Sequence, residues 1–263
     1  YCYSSSPEGP WHYGGKIVDN GIHWKGGNNH GSIAYASGQW YVFYHRATCD
    51  DYNRQAMLEP IEMFLDGDKV VIPPVEMTSQ GANTDGLDAY ARFSANHASY
   101  LTQHATLMGR ERNPDGMNPI AGIDTDGTVI GYKYLQFGED AVMDVNEPNL
   151  SLNILLCRDT TMTVLVARSE SVATQDAWVD IVSFQVQDHA VADGNYHEIT
   201  VPITGLDQHA TLKAIGGLKG KLALFFSFRG SSPECGMQHR GELCRFKAFS
   251  LHKAFEPHRR RSS

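Results

Sequence analysis

The stretch from Asn28 to Arg46 constrains this chain more than any other. Asn28, Asn29, His30 and Gly31 read as a polar loop, and Ser32–Ala36 as a short strand. Ser37-Gly38 supplies a turn, and Gln39-Trp40-Tyr41-Val42-Phe43-Tyr44-His45-Arg46 reads as a second strand of alternating aromatics. Aromatic and β-branched residues suit a pleated, half-buried surface, and a small residue followed by glycine between two such runs marks a hairpin. The hairpin therefore carries a candidate site at its loop end, where Asn, His and Gly gather.

The rest repeats the theme of short strands and turns. Met57, Leu58, Ile61, Met63 and Leu65 read as a strand, Asp66-Gly67-Asp68 as a tight turn, and Val70, Val71 and Ile72 as the returning partner. Around residues 73–88 the pattern dissolves into Thr, Ser, Gly, Asn and Asp, which places a domain boundary near Asp88. Candidate strands follow at residues 91–93, 128–137, 151–157, 162–168, 181–187, 198–202, 221–228 and 242–251. Ile130, Tyr132 and Tyr134 are expected on one face, and residues 221–228 are apolar enough for a central strand. No stretch keeps helical periodicity beyond a turn or two. The expected architecture is all-β: a barrel, sandwich or propeller blade in residues 1–88, then a two-sheet jelly roll, a β-sandwich, in residues 89–256. His258-Arg259-Arg260-Arg261 and the two serines after them read as a solvated basic tail at 257–263.

With 263 residues, either unit can bury a core, and 20% charged against 41% hydrophobic residues is ordinary globular usage. A net charge of −8 argues against general affinity for nucleic acid or anionic membranes. No apolar run approaches the length needed to cross a bilayer as a helix. The chain opens at Tyr1 in mid-pattern and reads as a piece of something longer. Cys2, Cys49, Cys157, Cys235 and Cys244 form no Cys-x-x-Cys pair; Cys235 and Cys244 are spaced for a loop-closing disulfide, with free thiols the equal alternative.

Several separated motifs, in order, carry a resemblance. S-S-S-P-E-G-P-W-H-Y-G-G-K-I, N-N-H-G-S-I, G-Q-W-Y-V-F-Y-H-R, R-Q-A-M-L-E-P-I and M-T-S-Q-G, across residues 1–82, resemble the C-terminal third of a family 43 glycoside hydrolase. That family comprises five-bladed β-propellers acting on arabinose- and xylose-containing polysaccharides, so the resemblance implies a partial propeller holding the last blades. G-T-V-I-G-Y-K-Y-L-Q-F-G and G-E-L-C-R-F-K-A-F-S-L resemble a family 6 carbohydrate-binding module.

The implied enzyme is an inverting one, with a carboxylic acid and a carboxylate on opposite sides of the scissile bond. In the family these groups lie on earlier blades, so no catalytic residue is expected here and the chain alone is expected to be inactive. The family's general acid commonly lies in an E-G-P triplet, as Glu8 does. Yet Ser5, Ser6, Pro7 and Trp11 around it match a later turn in which that glutamate is a surface residue. His30 matches the histidine that holds a hydrated ion, usually calcium, on the propeller axis; the residue-level alternative is a loop histidine bonded to backbone. Arg54 matches an arginine that reaches the sugar, its planar fork suited to hydroxyls and carboxylates; the alternative is a solvated loop arginine. Glu59 is read as a strand-end salt bridge and His45 as a strand histidine beside aromatics.

Such modules usually hold a sugar ring between two aromatics, whose flat faces match its C–H face. Val129 stands at one of those positions, which leaves Tyr196 as the candidate of the pair. Asn96, after Ala95, and Lys247 stand where the module's calcium ligands would be, and a lysine there argues against the ion. The sandwich is then expected to be a rigid support. The resemblance implies plant cell-wall polysaccharide (arabinoxylan, xylan or arabinan) or an oligosaccharide as partner, and an extracellular or periplasmic location. The competing reading is a non-catalytic carbohydrate-binding or structural β-protein.

Overall fold

The computed structural model describes residues 1–19, 30–47, 54–102, 104–108, 115–124, 127–139, 148–169, 175–204, 209–214, 216–230 and 241–252. Asn28, Asn29, Cys49, Cys235 and the tail at 257–263 lie outside the described residues. Internal contacts divide the chain into Tyr1–Thr84 and a second unit beginning at Asp85.

In the first unit, β1 (Cys2–Tyr3) pairs with β2 (His12–Tyr13). β3 (Gly31–Ala36), β4 (Gln39–Ala47) and β5 (Arg54–Ile61) form a three-stranded antiparallel sheet in that order. β6 (Phe64–Asp66) and β7 (Lys69–Val71) form a separate hairpin. The β3–β4 turn has φ of 50° at Ser37 and 84° at Gly38. Positive φ at both central residues is the type I′ geometry, whose twist matches the flanking strands. In the β6–β7 turn, Gly67 at φ 61° takes the left-handed first position that type II′ reserves for glycine.

The period of two sorts the sheet's residues. Val42, Tyr44 and Ile61 face a core completed by Ile72 and Met77, with Tyr1, Ile17, Val18, Trp40 and Met57 packed against it. Arg46 and Glu59 share this buried face. Glu59, read from the sequence as a salt bridge at a strand end, lies inside β5 rather than at its end. Its carboxylate accepts hydrogen bonds from the Thr78 backbone N–H (2.7 Å), the Thr78 hydroxyl (2.8 Å) and the Tyr44 hydroxyl (3.2 Å). Burial, then the Glu59 charge, pushes the Tyr44 phenol well up, so it stays a donor.

The second unit is a sandwich of two six-stranded sheets. In the first sheet the order is β10 (Tyr100–Leu101), β13 (Val129–Gln136), β18 (Lys221–Gly230), β15 (Thr160–Arg168), β16 (Val179–Gln185), and β8 (Leu87–Asp88) runs parallel to β13. In the second it is β11 (Thr106–Leu107), β12 (Ile120–Ile123), β19 (Cys244–His252), β14 (Asn149–Leu156), β17 (Tyr196–Pro202), and β9 (Arg92–Ser94) pairs with β19. The longest strand, β18, is central, as its apolar run requires. Between the sheets Phe226 meets Phe249 at 5.0 Å and Phe246 at 5.1 Å, and Tyr132 meets Phe249 at 4.6 Å between ring centroids. Among the described residues the α-helix is the five-residue Ala210–Ala214.

Tyr134 departs from its expected place beside Ile130 and Tyr132. The β13–β18 register shifts between Tyr132 and Leu135. The extra residue reverses the alternation, so Tyr134 joins Tyr100, Ala223 and Phe225 on the outward face, under Trp178. Trp178 stacks on Phe225 with centroids 3.8 Å apart.

Candidate functional site

In the first unit the site assembles at one end of the β3–β4–β5 sheet. The register continues one step beyond Gly31↔Tyr44, setting His30 beside His45, which is itself opposite Ala56; Ala47 is opposite Arg54. His30, His45 and Arg54 therefore share the outward face at the same end. The His30 backbone N–H donates to His45 Nδ1 at 3.4 Å, and the two rings are 5.6 Å apart and tilted by 43°. His30 and Arg54 are exposed and His45 is half-buried. The next residue of β4, Arg46, points to the opposite face and is fully buried. Below the histidines the face continues through Phe43, which is 42% exposed, and half-buried Tyr41 and Leu58.

Glu8 is exposed, in a turn closed by Gly9 N–H donating to the Ser6 carbonyl at 3.0 Å. The Ser6 hydroxyl donates to its carboxylate at 2.5 Å and holds its pKa below the usual carboxylate range. A general acid needs the opposite shift. The turn reading of Glu8 agrees with this environment.

Calcium prefers carboxylate, carbonyl and water oxygens. The end of the sheet offers two imidazoles and a guanidinium, and among the described residues no group of three or more His, Cys, Asp or Glu side chains could hold a metal. These residues do not fit the ion.

The sandwich presents a second arrangement, on the outward face of β17, β14, β19 and β9. Arg92 on β9 reaches Glu198 on β17 through two bonds of 2.6 and 2.9 Å. In sheet order β19 and β14 lie between those strands, so the ion pair bridges the face. Ser250, which pairs with Arg92, and Ser151 are buried beneath. Asn153 donates to Glu198 at 3.1 Å, and Ser151 and Thr200 share a hydroxyl bond of 3.0 Å. The Arg92 guanidinium, aided by Asn153 and opposed by burial, holds the Glu198 carboxyl below its ordinary range.

Tyr196 opens β17 on this face, half-buried, with Lys247 Nζ 5.5 Å from its ring centroid. Lys247 is also bound to Asp115 at 2.8 Å, which lowers the pKa of that carboxyl. Val129 packs on the outward face of the other sheet, against the cluster of Tyr100 and Phe225. The two positions thus lie on different sheets and do not face each other as a pair. Asn96 sits in the short 3-10 turn Ala95–His97.

Sequence reasoning did not place His45 beside His30, and it did not find the Arg92–Glu198 bridge. The first was within reach, because a two-residue turn fixes the register that brings His45 beside His30. The second joins residues 106 positions apart and had no local signal.

No family model matches the chain. A xylosidase/arabinosidase from Thermoclostridium stercorarium is 39% identical over an alignment of 109 residues, which covers 36% of this chain and 22% of the relative. Among solved structures, a family 43 arabinoxylan arabinofuranohydrolase from Bacillus subtilis, in complex with cellotetraose, matches with a TM-score of 0.52 and 19% identity. That match covers 96% of this chain and 47% of the enzyme. CsCBM6-3 from Clostridium stercorarium, in complex with cellobiose, matches 65% of this chain and 99% of its own at a TM-score of 0.44 and 13% identity. The chain spans about a fifth of the curated relative and just under half of the Bacillus enzyme. It is similar to part of a family 43 glycoside hydrolase, and its second unit is a β-sandwich.

Proposed function

We propose that this chain is the C-terminal portion of an inverting glycoside hydrolase acting on arabinose- or xylose-containing polysaccharide. In this reading it supplies a rim of the sugar pocket and a carbohydrate-facing sandwich, while the acid and base carboxylates reside elsewhere in the protein. One observation carries the reading. His30, His45 and Arg54 converge on one face at one end of the β3–β5 sheet, within a fold shared with a family 43 enzyme.

Arg54 is the sugar- and carboxylate-reaching group of this rim. Its donors lie in one plane and match vicinal hydroxyls or a carboxylate without losing charge at any working pH. His30 and His45 offer ring nitrogens to the same ligand. In the sandwich half-buried Tyr196, with Lys247 over its ring, shares a face with Glu198, Asn153 and Thr200, and aromatic and polar groups together suit the C–H face and hydroxyl edge of a pyranose or furanose. Plant cell-wall arabinoxylan, xylan or arabinan is the proposed partner, and an extracellular or periplasmic compartment the proposed setting.

The test is hydrolysis of aryl α-arabinofuranoside and aryl β-xyloside by this chain, alongside its binding to arabinoxylan. The expected result is retained binding without turnover. Turnover that disappears on Glu8→Gln would refute the assignment of the carboxylates to other parts of the protein. In a protein carrying the whole propeller, Arg54→Ala should lower kcat/KM by at least about tenfold with little change in Tm. A fall in Tm with kcat/KM unchanged would make Arg54 structural.

A further inference from the structure

We infer that the Arg92–Glu198 ion pair is a strap over a groove in the polar face of the second unit, and that an oligosaccharide enters this groove only when the strap opens. The strand pairings lay out the face. Phe93 and Phe249 stack inside the sandwich with ring centroids 5.1 Å apart, so their chain neighbours Arg92, Ser94, Ala248 and Ser250 point outward. Register then gives two rows across the strands, Arg92–Ser250–Ser151–Thr200 and Ser94–Ala248–Asn153–Glu198. Arg92 and Glu198 stand at opposite corners of this grid, and the small side chains of Ser250, Ala248 and Ser151 lie between them.

β9 and β17 are three strand spacings apart, about 14 Å, yet the guanidinium meets the carboxylate through bonds of 2.6 and 2.9 Å. The pair therefore crosses above the middle of the grid, and Asn153 holds Glu198 there at 3.1 Å. Ser250 is 2% exposed and Ser151 7%, although both belong to an outward face. Their hydroxyls are engaged within the protein, Ser151 with Thr200 at 3.0 Å and Ser250 with His252 Nε2 at 2.9 Å. Residues 115–118 wall the groove on the Ala248 side. Asp115 holds Lys247 at 2.8 Å, and the Asn118 N–H donates to the Ser94 hydroxyl at 3.1 Å. A floor of small hydroxyls between higher walls suits a sugar chain, and the ion pair occupies that space.

Opening costs little. Both partners are partly exposed, and a pair of this kind favours its closed form by only about two- to fivefold. A ligand that binds the open form alone has its affinity reduced by the open fraction, so losing the strap should tighten binding about three- to sixfold. Salt screens the pair but has no charge to screen on a neutral sugar. The chain should therefore bind a neutral oligosaccharide more tightly as salt rises, the opposite of a site that draws its ligand by charge. The inference rests on the sugar reading of this face and adds how access to it is controlled.

Two readouts on the intact chain separate the strap from its ligand. The first is the rate at which a neutral maleimide labels Ser250→Cys, read at that peptide by mass spectrometry. Adding Arg92→Ala should speed this labelling at least about threefold. The second is calorimetric binding of xylohexaose at about 0.02 and about 0.5 M NaCl. The parent should bind more tightly at the higher salt. Arg92→Ala should bind about three- to sixfold more tightly than the parent at the lower salt, with little further response. Arg92→Gln keeps most of the packing stem without the charge, so it should reproduce both effects if the alanine variant disturbs folding. Equal labelling rates would overturn the strap. Faster labelling with xylohexaose binding unchanged or weakened in both variants would overturn its control of access. Faster labelling with no xylohexaose bound by any form would refute the sugar reading of the face, and with it the ligand named here.

Discussion

Replacing Glu59 by alanine isolates the part of the first unit that holds the candidate site in place. Its side chain is 2% exposed, and its carboxylate receives the Thr78 N–H at 2.7 Å, the Thr78 hydroxyl at 2.8 Å and the Tyr44 hydroxyl at 3.2 Å. Hydrogen bonds to a charged group are worth roughly 1.5–3 kcal/mol each, and a buried donor left without its acceptor costs about as much as it loses. The terms overlap, and water entering the cavity would satisfy part of them. Removing one member of a buried charged network costs on the order of 3–5 kcal/mol, and we expect Glu59→Ala to fall in that range. Such a loss approaches the total stability of a small unit. Urea unfolding reads it directly. Trp11, Trp24 and Trp40 report on the first unit and Trp178 on the second, so the loss should appear in the former signal alone. Glu59→Gln keeps an acceptor of the same size and should cost less than half as much. Since Arg46 lies on the same buried face next to His45, the alanine variant should also broaden the His45 imidazole resonances. A destabilisation below about 1 kcal/mol, or one shared by both units, would refute the argument that this network organises the sheet.

Three further outcomes follow from the structure. Ser37→Asn places the residue type that best tolerates positive φ at the first position of a type I′ turn, and should raise the stability of the first unit by roughly 0.5 kcal/mol in thermal unfolding. Gly38→Val should lower it by at least about 1 kcal/mol, since Gly38 sits at φ 84°. Glu198 has its pKa depressed by Arg92, so it contributes stability above its unfolded pKa of about 4.3 and loses it as pH falls through the lower folded value. With the two side chains 39% and 44% exposed, that contribution is about 0.5–1 kcal/mol after screening. Glu198→Gln should therefore flatten the acid limb of the second unit's pH–stability profile below about pH 4.3, and a profile identical to the parent would refute the assignment.

The hairpin was legible because Ser37-Gly38 both marks the turn and sets its register. Strand β18 was legible because an apolar run of that length fits only a central place in a sheet. The short strands β1, β2, β8, β10 and β11 were not, since two residues carry no period to read. Tyr134 was misplaced because one inserted residue between Tyr132 and Leu135 reverses every inference from alternation. At the candidate site, His30 and Arg54 were singled out through their flanking motifs. The nearness of His45 to His30 was not read, because it depends on the register across the hairpin. Glu59 was assigned a strand end because its distance from Thr78 along the chain hid the bonds that bury it.

The most direct measurement is a titration of the isotopically labelled chain with an arabinoxylan oligosaccharide, followed at the imidazole, guanidinium and phenol resonances. The account predicts saturable shifts at His30, His45 and Arg54 and a second set at Tyr196 and its neighbours Asn153 and Glu198. Unshifted resonances at both sets in millimolar oligosaccharide would contradict it.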